Sequence, residues 1–220
     1  MNGIFSARKP LKLFGLFLLF YAMMLPLWLG LKAPYQQVVN TVAFKTAGWC
    51  YDIKLLKTHL QPDGTTVMTA ANRYALVGFD GKDHSIVFDA MLDIDAITFN
   101  VPMTLALVLA IAFTLGAERK QRFDALVNAA ILLVVLHFLT MFVISLSVII
   151  NTADRSPDLA MYLQHHWMPK TLLLNLGSLL STYAARFEPF LISVFVWWQL
   201  QLQRPEKTQA EEETTQLPHF

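Results

Sequence analysis

Apolar positions along this chain gather into four long runs, at residues 11–31, 98–117, 125–150 and 172–202. Each approaches or exceeds the roughly 20 apolar residues that span a hydrocarbon core about 30 Å thick. Between the first and second runs the texture changes. Tyr51, Ile53 and Leu55 alternate with Asp52 and Lys54, and Ile86, Phe88, Ala90, Leu92 and Ile94 recur at every second position, with Asp89, Asp93 and Asp95 on the other face. A period of two is that of a strand with one face covered. Pro62-Asp63-Gly64 and Asp80-Gly81 supply turn chemistry, and 65–69 and 74–79 are β-rich. The pattern predicts a membrane α-helical bundle of four transmembrane helices, with a small antiparallel β-rich exported insert between the first and second helices. The insert reads as a meander of about four strands, too small to stand alone easily.

Ala33-Pro34 predicts the end of the first helix. Val38, Val39, Val42, Ala43 and Phe44 then predict a separate short amphipathic helix, lying on the membrane surface or packed beneath the insert. The insert as a whole covers 32–97.

Composition agrees with a membrane chain. Of 220 residues, 55% are hydrophobic and 15% charged, and mean hydropathy is +0.45. A net charge of +1 carries no basic excess for nucleic acid. Cys50 is the only cysteine, so neither an intrachain disulfide nor a thiolate cluster can form, and a buried or interfacial thiol is expected. The first apolar run is too long for a signal-peptide core and no small-residue cleavage site follows cleanly, so it reads as an uncleaved anchor.

Lysine and arginine set the orientation. Arg8, Lys9 and Lys12 precede the first span, Arg119, Lys120 and Arg122 lie between the second and third, and Arg204 and Lys207 follow the fourth. Four spans put all three groups on the cytoplasmic side. Residues 1–10, the loop 118–124 and the tail 203–220 are then cytoplasmic, and the loop 151–171 is exported. Trp167 suits the outer interface, and Trp197 and Trp198 the inner one. The tail beyond Pro205 is rich in Glu, Thr and Gln and reads as disordered.

The fourth run holds the chemistry. Arg186 and Glu188 sit near its centre, followed by Pro189, and His137 falls near the centre of the third run. Ionisable groups at that depth are expensive and normally face protein or water. Two positions apart on a helix is about 200°, so Arg186 and Glu188 face different neighbours. One reading is a buried polar cluster that relays protons or receives a partner's charged group. The other is a tether between helices. Pro189 should kink the span near Ala185. Gly177, Ser178, Ser181, Ala184 and Ala185 make its outer half narrow enough for close helix packing, and Ser145, Ser147 and Asn151 sit ready to hydrogen-bond at the outer end of the third span.

Other constellations are weaker. His165-His166 lacks a third ligand at convincing spacing, with only His59 and His84 to complete a composite site. The three aspartates of the last strand do not have the spacing of a calcium loop. There is no G-x-S-x-G elbow, H-E-x-x-H, P-loop or dinucleotide fingerprint, so no catalytic residue, metal or cofactor is assigned.

One span, a β-rich exported insert and three further spans resemble the exosortase-associated integral membrane proteins of the bacterial inner membrane. Phe99 and Pro102, leading into the leucine-rich run 105–110, match that family's entry to its second span. Asp93-Ile94 stands where the family usually has Asn-Pro, a departure, and Glu188-Pro189 leading to Trp197 resembles its final span. The resemblance implies a multi-pass, non-enzymatic accessory subunit of a protein-sorting complex, not a transpeptidase. Its partners would be a membrane protein, a second copy of the chain and the bilayer. From the residues alone, the other reading is a membrane sensor or transport-related protein in which His137, Arg186 and Glu188 titrate or gate.

Overall fold

The computed structural model describes residues 8–61, 63–77, 83–93, 95–164 and 169–203. Several expectations therefore fall outside the described residues: those on Pro62, Phe79 to Lys82, Ile94, His165, His166, Trp167, Arg204, Lys207 and the tail.

The first helix, α1 (Arg8–Cys50), is 43 residues long and runs straight through Pro26 and Pro34. The expected break at Ala33-Pro34, with a separate surface helix after it, does not occur. A proline inside a helix removes one hydrogen bond and costs about 3 kcal/mol. Both prolines face away from the protein, and the segment beyond them is held by what it packs against. Gln36, Val39, Asn40, Ala43, Phe44 and Ala47 recur at helical spacing, and all are buried. Val38 and Val42 face outward at 61% and 48% exposure, so the segment packs beneath the insert through the opposite face.

That insert is a three-stranded antiparallel sheet in the order β1 (Ile53–Leu60), β2 (Thr66–Asn72), β5 (Val87–Leu92). A two-stranded ribbon, β3 (Leu76–Val77) with β4 (Asp83–His84), prolongs the hairpin between β2 and β5. The expected four-strand meander is thus three long strands whose second hairpin is broken once. Asn72 makes the break. Its side-chain carbonyl accepts the Ile86 N–H at 2.7 Å and its amide donates to the Tyr74 carbonyl at 2.6 Å, replacing ladder bonds at the corner. The first turn is as its residues dictate: Gly64 has φ of 91°, and the Asp63 carboxylate accepts the Thr65 N–H at 2.9 Å.

The last strand stops at Leu92, and Asp95 begins the short helix α2 (Asp95–Thr98), so the three aspartates do not share one strand face. Helix α3 (Asn100–Thr114) follows after Phe99. Pro102 explains the interruption, because it has no N–H to offer the Thr98 carbonyl four residues back. Helix α4 (Arg119–Ala153) has 35 residues, and α5 (Pro157–Leu163) is started by Ser156, whose hydroxyl accepts the Leu159 N–H. The last run forms α6 (Lys170–Leu179), a five-residue π turn (Leu180–Ala184) and α7 (Ala185–Leu202). The two halves meet at 72°. The bend falls where Pro189 leaves the Ala185 carbonyl without a donor, as expected.

Two helices, α1 and α4, are long and apolar enough to cross a membrane, and the bent α6–α7 pair makes a third if it counts as one span. At 15 residues α3 measures about 22 Å, short of a hydrocarbon core. Two cores result. One joins α3, α4 and α7 through small and branched residues such as Val108, Ala112, Ala129, Ile192 and Val196. The other joins the second half of α1, the sheet, the second half of α4 and α5, around Phe44, Met68, Leu92, Met141, Ile149 and Leu159. In that second core the Tyr162 hydroxyl donates to the Asp52 carbonyl at 2.9 Å, and burial raises its pKa, which keeps the donor in place.

A Cβ at position 48 would meet the Ile53 carbonyl oxygen at 2.8 Å, whereas one at position 30 meets nothing within 4 Å. Gly48→Ala should therefore destabilise the chain by about 1–3 kcal/mol, through overpacking against backbone. Gly30→Ala should be neutral or stabilising by up to about 1 kcal/mol. Thermal unfolding of the two variants in detergent checks the contrast.

Candidate functional site

Between the two cores lies a layer of polar side chains. His137, on α4, is fully buried, and Glu188, on α7, is 4% exposed. His137 Nε2 stands 3.0 Å from Glu188 Oε2. On the other side of the ring, His137 Nδ1 stands 2.7 Å from the Tyr35 hydroxyl of α1. The Asn100 side-chain amide, at the start of α3, donates to Glu188 Oε2 at 3.3 Å. Three helices thus meet on one carboxylate, and the His137 ring links it to a fourth, α1. Beside them Gln36 donates to Thr98 Oγ1 at 3.0 Å, and one turn along α1 Asn40 donates to Thr66 Oγ1 at 2.8 Å.

Two proton arrangements satisfy the same atoms. In one, Tyr35 donates to Nδ1 and His137 Nε2–H donates to Glu188. In the other, a protonated Glu188 donates to Nε2 and Nδ1–H donates to Tyr35. The second arrangement holds one proton more than the first, because Tyr35 keeps its hydroxyl hydrogen and turns it away from Nδ1. Glu188 Oε1 is buried without a hydrogen-bond partner among the described residues, as is Asn40 Oδ1.

Of the three ionisable groups expected at one depth, the structure brings together His137 and Glu188 and leaves out Arg186. The guanidinium of Arg186 is exposed, about 200° around α7 from Glu188, with no partner among the described residues. Pro189 is buried beside the layer. Tyr35 and Asn100 were not singled out as site residues from the sequence. Their signal was there: each is a polar residue within two positions of a proline at the edge of an apolar run.

Among the small residues of the last run, Gly177 is buried and lies close against Ser147 of α4, where an added Cβ would collide with the hydroxyl. Ser147 Oγ is 2.8 Å from the Leu173 carbonyl and 3.0 Å from that of Val143. Ser178 and Ser181 are exposed, and the side chains of Ala184 and Ala185 lie outside the description. Ser145 is buried without a partner, and Asn151 is exposed. Cys50 is exposed at the end of α1, not buried in the chain. His59 and His84 are exposed, and no group of three metal-type side chains occurs among the described residues.

Glu188→Ala leaves His137 and Asn100 facing a buried gap, and should cost about 1–3 kcal/mol for the donors left unpaired. Glu188→Gln keeps an acceptor in place and should cost less than about 1 kcal/mol. Unfolding midpoints of the purified variants test the order, and equal midpoints would show that the layer adds nothing to stability.

No protein-family model, curated protein or solved structure matches this chain.

Proposed function

We propose that this chain is a non-enzymatic accessory or assembly subunit of a bacterial inner-membrane complex, which docks a membrane partner through α7 and an exported partner through its β-rich insert. Arg186 carries the reading. Its neighbours Phe187, Phe190, Leu191 and Val194 are 57–66% exposed, so a cation without a partner stands on an apolar outer face. A charge there is stabilised by a carboxylate or carbonyl of a neighbouring helix, and a second copy of the chain or a different protein can provide it.

The same reading takes four crossings, with α3 as a short span and the bent α6–α7 as a single one. Support comes from what lies at one end of the bundle. Phe20 of α1 stacks near Phe113 of α3, with ring centroids 5.2 Å apart, and the Gln121 amide donates to the Gln203 carbonyl at 3.4 Å. The first part of α1, the start of α4 and the end of α7 therefore gather where Arg119, Lys120 and Arg122 sit, which suits a cytoplasmic side. Counting about 1.5 Å per residue from Leu202, Glu188 stands about 21 Å and Arg186 about 24 Å from that end. This is the outer third of a core about 30 Å thick, not its midplane. The membrane complex we propose is an exosortase-type sorting system, on the strength of the Phe99–Pro102 and Glu188–Pro189 stretches alone.

Arg186→Leu should abolish co-purification of the partner in mild detergent while leaving the unfolding midpoint within about 0.5 kcal/mol, as for an exposed site. An unchanged complex would mean that Arg186 only reaches outer headgroups, and would overturn the docking role.

The Tyr35–His137–Glu188 chain favours a second reading, a sensor or transport-related protein that couples protons. Purified chain in liposomes should then show proton flux that Glu188→Gln removes. No flux from the unmodified chain counts against it.

A further inference from the structure

A groove of about 350 Å³ lies between α1 and the free edge of the sheet. Four cations line it, Lys45 of α1, Lys54 and Lys57 of β1, and Arg73 just after β2, together with the exposed Trp49. No carboxylate is among its lining residues, and none of the four cations has an ion pair or side-chain hydrogen bond among the described residues. Lysines on an edge strand often serve only to stop edge-to-edge pairing. That account covers Lys54 and Lys57. It does not cover Lys45 and Arg73, which come to the same groove from two other segments.

The strand itself is adjusted so that both of its lysines stay on one exposed side of this edge. Pairing of β1 with β2 skips Leu56: Leu55 faces Ala70, and Lys57 faces Thr69. Regular alternation would put Lys54 and Lys57, three apart, on opposite faces. The bulge at Leu56 restores both to the outward face, while Leu55 and Thr58 stay inward beside Ala70 and Met68. Arg73 is fixed by its backbone, whose N–H donates to the Asp52 carbonyl at 2.6 Å. Asp52 holds a left-handed conformation, φ 52°, at the turn from α1 into β1.

We propose that this groove binds a phosphate-bearing ligand, with Lys45, Lys54, Lys57 and Arg73 as its charge partners and the exposed Trp49 ring as a stacking or apolar wall. Phosphate is favoured because a multiply charged anion matches several converging point charges, and Arg73 adds a planar fork for two of its oxygens. Lys45 stands 13 residues, about 20 Å, beyond Lys32 along α1, outside the apolar run, so the ligand arrives from the aqueous side. It is either free in solution or the headgroup of a lipid that projects from the surface.

The test is calorimetric titration of the full chain, in uncharged maltoside micelles at ~20 mM salt, with inorganic pyrophosphate. The expected result is one site with Kd below about 1 mM, weakened severalfold by ~0.3 M salt and at least about tenfold in Lys54→Gln/Lys57→Gln. Lys45→Gln, on a different element, repeats the measurement should the double variant unfold. A Kd above about 10 mM, or variants that bind as the parent does, overturns the proposal and leaves the lysines as edge protection. Lipid discs then identify the source. Weaker pyrophosphate binding in discs carrying a lipid with a phosphorylated oligosaccharide headgroup than in phosphatidylcholine discs points to a lipid headgroup, and equal binding to a soluble ligand; both support the site.

Discussion

Two helices here are longer than a bilayer is thick, and the rest of the molecule follows from that excess. At about 1.5 Å per residue α1 extends about 64 Å and α4 about 52 Å, against a hydrocarbon core of about 30 Å. An apolar stripe that leaves the lipid must be covered again. The sheet is the cover: Phe44 of α1, Met68 and Leu92 of the sheet and Ile149 of α4 are all buried within one cluster. Conversely, three strands are marginal by themselves, and the projecting helices give them the second layer they need. Helix and sheet each complete the other, so the sheet is an extension of the bundle and not a domain attached by a linker.

The polar layer marks the level at which the two packing regimes meet. Below it, alanines such as Ala112, Ala125 and Ala129 bring backbones close. Above it, larger side chains fill the space between helices and sheet. Glu188 is shared by α4, α3 and α7, and the His137 ring passes the contact on to α1. One carboxylate therefore fixes the relative height of four helices, which apolar packing alone leaves free to slide. The Tyr35–His137–Glu188 hydrogen-bond chain also joins titratable groups of three helices.

Much of this was legible in the sequence, for physical reasons that also explain what was not. The alternation around Ile86 to Leu92 and the turn chemistry of Asp63-Gly64 gave the sheet, because period and φ are local properties. The kink of the last run followed from Pro189 for the same reason. The helix end at Pro34 was misread, since a local penalty of one hydrogen bond was outweighed by the burial of Gln36, Val39 and Phe44. Asn72 as the corner of the second hairpin depended on a partner 14 residues away. Helix geometry separated Arg186 from Glu188 correctly, but the choice of Tyr35 and Asn100 as neighbours needed the assembled bundle. Residues 102 and 88 positions apart have no sequence period in common.

The two prolines of α1 have a mechanical consequence. Each takes one rung out of the hydrogen-bond ladder, and both lie at or before the point where the helix leaves the apolar run. Beyond Pro34 the ladder is complete and the helix is clamped to the sheet. A rod built in this way is compliant in its lipid-facing part and stiff above it. Bending of the rod is therefore easiest around Pro26 and Pro34, and the part clamped to the sheet keeps its shape.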